Sequence, residues 1–113
     1  MPTTALDTIA ADPASAEIYA GLLTDLAYLG PFEIEPKKTS LHITHGRAFL
    51  GVHPRKGALL LNLVLTEKIA SKRIRKSERV SANRWHNELL VTSTEDLDAE
   101  LGGWILAAYA ATK

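Results

Sequence analysis

The chain has 113 residues, 46% apolar and 23% charged, with 13 Lys or Arg balancing 13 Asp or Glu. This length suits one domain with a single hydrophobic core. The absence of cysteine excludes disulfides, thiolate metal sites and cysteine nucleophiles. The longest apolar run, 58–65, is too short to span a bilayer. Because no basic segment followed by an apolar run opens the chain, we expect a cytoplasmic protein with no membrane partner.

The charges are segregated along the chain although their total is zero. Residues 1–35 hold six acidic residues and no Lys or Arg. Residues 36–84 hold twelve Lys or Arg against Glu67 and Glu78, and residues 85–113 hold five acidic residues against Lys113. A basic middle between two acidic ends indicates a charged partner without naming it.

The first strong structural signal is a helix over 13–29. Asp12 is a good N-cap and Pro13 suits the first helical position. Apolar residues follow at helical spacing until Gly30-Pro31 ends the pattern. Residues 1–12 are expected to form a flexible lead-in or a short helical turn, which leaves residues 13–113 as the domain.

The middle of the chain predicts strands. The segment 40–44 alternates apolar and polar residues, and His45-Gly46 suits a tight turn. The run 58–65 is nearly continuous in apolar residues, as in a buried central strand. The predicted strands are 40–44, 47–53, 58–65, 73–80 and 85–92, with hairpin loops at 54–57 and 81–84.

The chain ends in a second amphipathic helix, capped by Ser93 or Thr94. Gly102-Gly103 inside it costs helix stability and indicates either close approach to the sheet or a kink. The expected fold class is therefore α+β, an antiparallel meander of about five strands with N- and C-terminal helices packed on one face.

The meander carries one geometric prediction about charge. Alternate turns share an end of such a sheet, so the 54–57 and 81–84 turns should meet near the start of the first strand. We therefore predict an anion site at one end of the sheet, where loop N–H groups can also donate. Its residues would be Lys37, Lys38, His53, Arg55, Lys56, Asn83, Arg84 and His86.

A plainer interpretation treats the same charges as a solvated surface that keeps an edge strand from pairing. Arg73, Arg75 and Arg79 share one parity on the predicted fourth strand and should project from one face. Trp85 either lies in the core or helps to stack a ligand, and Asn62 is either hydrogen-bonded or lines a cleft.

No motif indicates catalysis or a cofactor. The four histidines lack metal-binding spacing, so neither metal nor cofactor is expected. Ser81, His86 and Glu88 form no recognisable triad, since neither a nucleophile elbow nor a Gly-rich oxyanion loop is present. Glycine-rich phosphate loops are also missing. Catalytic residues are therefore not assigned.

Several strings resemble those of the bacterial domain-of-unknown-function family 5655. They are Phe49-Leu50-Gly51-Val52-His53-Pro54-Arg55-Lys56, Val80-Ser81-Ala82-Asn83-Arg84-Trp85-His86, Asp96-Leu97-Asp98-Ala99-Glu100-Leu101 and the later Trp104 and Ala108-Tyr109. The similarity spans about residues 15–112. It implies no established activity and transfers no catalytic residue. It marks only the 54–56 turn and the 83–86 string as parts of the family pattern.

Three functional hypotheses follow. The first is a non-catalytic module that binds nucleic acid or a phosphorylated ligand through the basic sheet end. The second is a protein-interaction or homo-oligomerisation module, including a homodimer, which uses the open sheet face or an edge strand. The third is an enzyme with His53, His86 and Glu88 as acid–base groups.

Overall fold

The computed structural model describes residues 4–112, so residues 1–3 of the predicted lead-in lie outside the described part. Within it, three α-helices and six strands form an α+β domain. The helices are α1 (Ala5–Ala10), α2 (Pro13–Leu26) and α3 (Ala99–Ala110), and a 3-10 turn covers Thr94–Asp96. The strands are β1 (Glu33–Pro36), β2 (Leu41–His45), β3 (Arg47–Arg55), β4 (Ala58–Leu65), β5 (Lys76–Ser81) and β6 (Arg84–Val91).

The strands form one antiparallel sheet in the order β1-β2-β3-β4-β6-β5. The predicted fold class is confirmed, with helices from both ends of the chain on one face. Two details differ. The sheet has a sixth strand, β1, and β6 lies between β4 and β5. The long connection 66–75 permits this exchange, because it carries the chain past the position that β6 later fills.

The segment that precedes α2 is helical rather than loose. In α1, Ala5 and Ile9 are buried in the core. The backbone N–H of Ala5 donates to the carbonyl of Lys37 at 2.9 Å, which ties α1 to the turn between β1 and β2. The helix therefore belongs to the domain from Ala5 onward.

One face of the sheet is covered by all three helices, and no helix within residues 4–112 covers the other, which we call the open face. Along β4, Leu59, Leu61, Leu63 and Leu65 alternate toward the helices and are buried. Strand period two places the residues between them on the opposite, open face. The fold thus presents two regions outside the core, the open face and the two edge strands.

The C-terminal helix begins later than predicted. Ser93 and Thr94 belong to the 3-10 turn region, and α3 is capped by Asp98, whose carboxylate accepts from Leu101 N–H at 3.0 Å. An ideal Cβ at Gly102 or Gly103 meets no heavy atom within 4 Å. These glycines are therefore not explained by close approach to the sheet.

Candidate functional site

The predicted basic end of the sheet is divided in the structure. The 54–57 turn lies where Arg55 pairs with Ala58, at the start of β4. The 81–84 turn lies beyond the pair Leu65–Trp85, at the other end of β4. Arg55 and Arg84 are therefore at opposite ends of the sheet. The prediction that they meet is wrong, because β6 pairs directly with β4 and thereby runs opposite to the direction that a simple meander gives it.

One group of predicted site residues does come together at the start of β4. In β2, Leu41 pairs with Val52, so the preceding turn lies beside the 54–57 turn. This end of the sheet gathers Lys37, Lys38, Arg55 and Lys56, with His53 two residues inside β3.

Carboxylates already occupy part of that end. The Asp12 carboxylate accepts from the N–H of Gly57 at 2.7 Å as well as from the first turn of α2. The Gly57 N–H is the main cause that holds the pKa of Asp12 below its ordinary value. Lys37 lies 3.9 Å from Glu35. The loop N–H groups were expected to donate to a bound anion, but the Gly57 N–H donates to the Asp12 carboxylate of the protein itself.

A second group of cations lies along the sheet edge formed by β5. Between residues 67 and 84 the chain holds seven Lys or Arg against Glu67 and Glu78. We call six of these cations, together, the basic edge: Lys68, Lys72, Arg75, Lys76, Arg79 and Arg84. Within residues 4–112, Lys76 is the member of this group that contacts a carboxylate. Its Nζ lies 3.8 Å from Glu78 Oε2, and both side chains are well exposed. Most of its charge is therefore not neutralised by the protein.

The seventh cation of this stretch, Arg73, is used internally. Its guanidinium donates to Asp98 at 2.9 Å and to Glu100 at 3.0 Å, and it lies 5.6 Å from the ring centroid of Trp104. Arg73 precedes β5 and faces α3, so the strand parity that was expected to align it with Arg75 and Arg79 does not apply to it. The pairing raises the pKa of Arg73 and anchors the connection 66–75 to the helical side.

Asn87 holds the same connection against the sheet. It is fully buried on the helix-facing side of β6. Its Oδ1 accepts from the Ile69 N–H at 3.1 Å and the Ser77 hydroxyl at 2.8 Å, while its Nδ2 donates to the Glu67 carbonyl at 3.3 Å. One amide therefore fixes both sides of a groove of about 400 Å³, whose lining includes Lys68, Arg75 and Lys76.

The 81–84 turn extends the basic edge beyond β5. Arg79 closes the turn by donating to the carbonyls of Ser81 and Ala82, both at 3.3 Å. Trp85 pairs across strands with Arg79 on one side and Leu65 on the other. It is partly buried and is not part of the core cluster. Asn83 is exposed in the turn, so the 83–86 string adjoins the basic edge and not the 54–57 turn.

The open face carries a row of polar residues across the whole sheet. Cross-strand pairing aligns Glu35, His42, Gly51, Asn62, Glu88 and Lys76 in that order. Gly51 leaves a depression in the middle of the row: a Cβ built there would lie 3.4 Å from Asn62 Cβ and 3.6 Å from His53 Nε2. The Asn62 Oδ1 is buried, and no hydrogen-bond partner for it is found among residues 4–112.

Two histidines border this row. His53 pairs with Leu60 and His86 with Val64, so both lie on the open face with Glu88. Burial is the first cause that lowers the pKa of each, followed by Arg55 for His53 and by Arg84 for His86. Glu88 opposes the shift of the His53 pKa, and Glu78 followed by Glu88 opposes that of His86. The neutral imidazole is therefore favoured at both positions.

The residues of the enzyme hypothesis thus share one face of the sheet. Among residues 4–112, no group of three His, Asp or Glu side chains is arranged to hold a metal ion. The described helices include none that is long and apolar enough to cross a membrane. The sequence did not predict that Asn62 pairs across the strands with Gly51 and Glu88, since this pairing depends on the register of β3, β4 and β6.

These features define a small, single-core α+β domain with one open sheet face and an uncompensated cationic edge. The chain belongs to the family described as a domain of unknown function (DUF5655), whose model matches residues 6–112. The family resemblance drawn from the sequence strings is thereby confirmed. At the level of curated proteins and of solved structures, no match is found.

Proposed function

We propose that this protein is a non-catalytic binding module that holds a nucleic acid by its phosphate backbone. The observation that carries the proposal is the basic edge, where six cations lie along β5, its hairpin turn and the 66–75 connection with little internal neutralisation. Phosphates displace counterions from such a surface, and this release drives salt-dependent binding.

The basic edge is a better candidate than the other group of cations. Around the 54–57 turn, Asp12 and Glu35 lie among Lys37, Lys38, Arg55 and Lys56, and the Gly57 N–H is already bonded to Asp12. The basic edge combines cations with a shaped groove and with the partly exposed Trp85, whose ring can stack on a base. Of the predicted residues, Arg84 belongs to this surface, and Asn83 and His86 lie beside it.

The groove also restricts where a phosphate would lie. Lys68 approaches from the 66–75 connection, and Arg75 and Lys76 approach from the start of β5. Because Asn87 and Arg73 fix the connection, these cations are brought together before the ligand arrives. Preorganisation lowers the entropy cost of binding.

The test measures the affinity of a fluorescently labelled single-stranded oligonucleotide by anisotropy over a range of salt concentrations. We expect Lys68→Ala, Arg75→Ala and Lys76→Ala in combination to weaken binding. The slope of log K against log salt should fall by about 0.7 for each phosphate that the variant no longer neutralises.

A charge-matched control removes Lys38, Arg55 and Lys56 by the same substitutions at the other end of the sheet. That variant loses the same net charge and should keep nearly the whole salt slope. Equal losses in the two triple variants would mean that only net charge matters, which contradicts a site at the basic edge. Salt-independent or undetectable binding by the unsubstituted chain would refute the function itself.

A further inference from the structure

The open face of the sheet bears one buried acceptor, Asn62 Oδ1, that residues 4–112 leave without a donor. The Asn62 Oδ1 is buried and unpaired, although a buried acceptor of this kind ordinarily has a partner. Glu88 pairs directly with Asn62 across the strands, which places a carboxylate beside that acceptor. A ligand that fits here must bring N–H or O–H groups.

The same face is unsuited to phosphate. Glu88 lies in the central row, and Glu78 pairs with His86 in the next one. The burial and the neighbouring cations that lower the pKa of His53 and His86 keep both imidazoles uncharged near neutral pH. The middle of the face therefore presents Glu88 to a polyanion, whereas the cations lie at the edge.

The two surfaces are continuous along the polar row. Lys76 of the basic edge pairs with Glu88, and Glu88 pairs with Asn62. At a spacing of about 4.8 Å between strands, Lys76 and Asn62 are about 10 Å apart. The Gly51 depression lies one strand beyond. A chain whose phosphates follow β5 can therefore direct its bases across β6 onto β4.

We infer that the open face receives the bases of a single-stranded nucleic acid, with Glu88 and, once its covered amide turns toward the ligand, Asn62 accepting hydrogen bonds from exocyclic amino groups. This inference rests on the function proposed above and adds the class of ligand and the atoms that read it. Adenine and cytosine present an exocyclic amino donor, whereas the single N–H donor of an unpaired thymine lies between two carbonyl oxygens, which the acceptors of Asn62 and Glu88 would repel.

The surroundings of the row suit the flat faces of bases. Leu60 and Leu90 pair next to His53, and Leu90 is 37% exposed. Neutral imidazoles and apolar side chains stack on bases without selecting among them. The selection therefore falls on Asn62 and Glu88, beside the shallow depression that the buried Gly51 leaves.

The experiment compares short labelled homopolymers of dC, dA and dT, within the ~4–16 nucleotides that small single-strand-binding domains cover. We expect oligo(dC) and oligo(dA) to bind about tenfold more tightly than oligo(dT), the factor that corresponds to one good base contact. Asn62→Leu should abolish this preference and leave the salt slope unchanged, because Asn62 touches no phosphate.

Gly51→Ala provides a second, independent variant. The added methyl group stands at ordinary contact distance from Asn62 and His53, so the fold accepts it while the depression is filled. Loss of the base preference is expected again. Urea unfolding of both variants shows whether the domain remains intact.

The outcomes separate the two proposals. Salt-dependent binding with equal affinity for the three homopolymers overturns the base-reading inference and leaves the basic edge in place. A preference that survives both Asn62→Leu and Gly51→Ala also overturns it, and would move base contact to another surface such as Trp85. An unsubstituted chain that binds no homopolymer at any salt concentration overturns both proposals.

Discussion

Asn62 and Asn87 form a matched pair that separates a binding role from a structural one. Both are asparagines in central strands of the same sheet, on β4 and β6. Asn87 is fully buried and makes three hydrogen bonds, whereas Asn62 leaves its Oδ1 unpaired on the open face. The same substitution, Asn→Leu, should therefore have very different effects on the free energy of unfolding.

The magnitude follows from the partners left behind. Asn87→Leu strands the Ile69 N–H and the Glu67 carbonyl, while the Ser77 hydroxyl can turn toward solvent. At about 1–3 kcal/mol for each buried group left unpaired, partly offset by the apolar side chain, the cost is about 2–4 kcal/mol. For a domain of this size the melting temperature should fall by about 10 °C or more. Asn62→Leu removes a buried acceptor that already lacks a partner, so by the same figure it should not lower the free energy of unfolding and should raise it by up to about 1–3 kcal/mol.

Urea denaturation followed by circular dichroism measures both values, since midpoint and slope together give the free energy of unfolding. Equal destabilisation by the two substitutions would refute this reasoning, because Asn62 would then contribute to the fold as much as Asn87. A decrease below about 1 kcal/mol in Asn87→Leu would show that the 66–75 connection is held chiefly by Arg73.

Two further expectations concern stability. Gly102→Ala and Gly103→Ala should each raise the free energy of unfolding by about 0.5–1 kcal/mol, since the new methyl groups meet open space; a lower melting temperature in either variant would contradict this. Burial and neighbouring cations lower the pKa of His53 and His86 in the folded state below 6.5, so the unfolded chain takes up protons first as pH falls from that value. Stability should therefore decline below pH 6.5 in a urea titration, and the decline should become shallower in His53→Gln with His86→Gln; an unchanged pH profile would count against the burial of these rings.

Local signals predicted much of the fold. Asp12-Pro13 marks the start of α2, and Asp12 does cap it. The 54–57 loop contains Gly57 at φ 67°, a conformation that the sequence pattern anticipated by placing glycine at the end of the turn. The apolar run 58–65 is β4 with the same bounds. In each case the residues that decide the structure lie within a few positions of one another.

Long-range pairing was not predictable in the same way. The place of β6 between β4 and β5 depends on Asn87 and Arg73, whose partners lie 10 to 27 positions away. A hairpin pattern at 81–84 fits either order of the last two strands. The strand β1 was missed because it is short and Ile34 is its one partly buried residue. The prediction that the 54–57 and 81–84 turns meet failed for the same reason, because it assumed that β5 lies between β4 and β6.

The two edges of the sheet help to decide between a protective and a binding role for the cations. Protection against edge-to-edge pairing needs only a few charges or a proline, and β1 has Glu33, Glu35 and Pro36. On the other side, Lys76 and Arg79 within β5 would serve the same purpose. The protein adds further cations outside β5, at Lys68, Lys72, Arg75 and Arg84.

Gathering like charges opposes the compact state unless a partner of opposite charge compensates them. Here Asn87 fixes the connection that bears Lys68 and Arg75 against β6, so the fold maintains their proximity instead of relaxing it. Edge protection does not require a fixed groove, because mobile charges repel another strand equally well. A fixed cationic groove at the edge of a sheet whose open face bears an unpaired acceptor is better explained by a ligand that has both phosphates and amino-bearing bases.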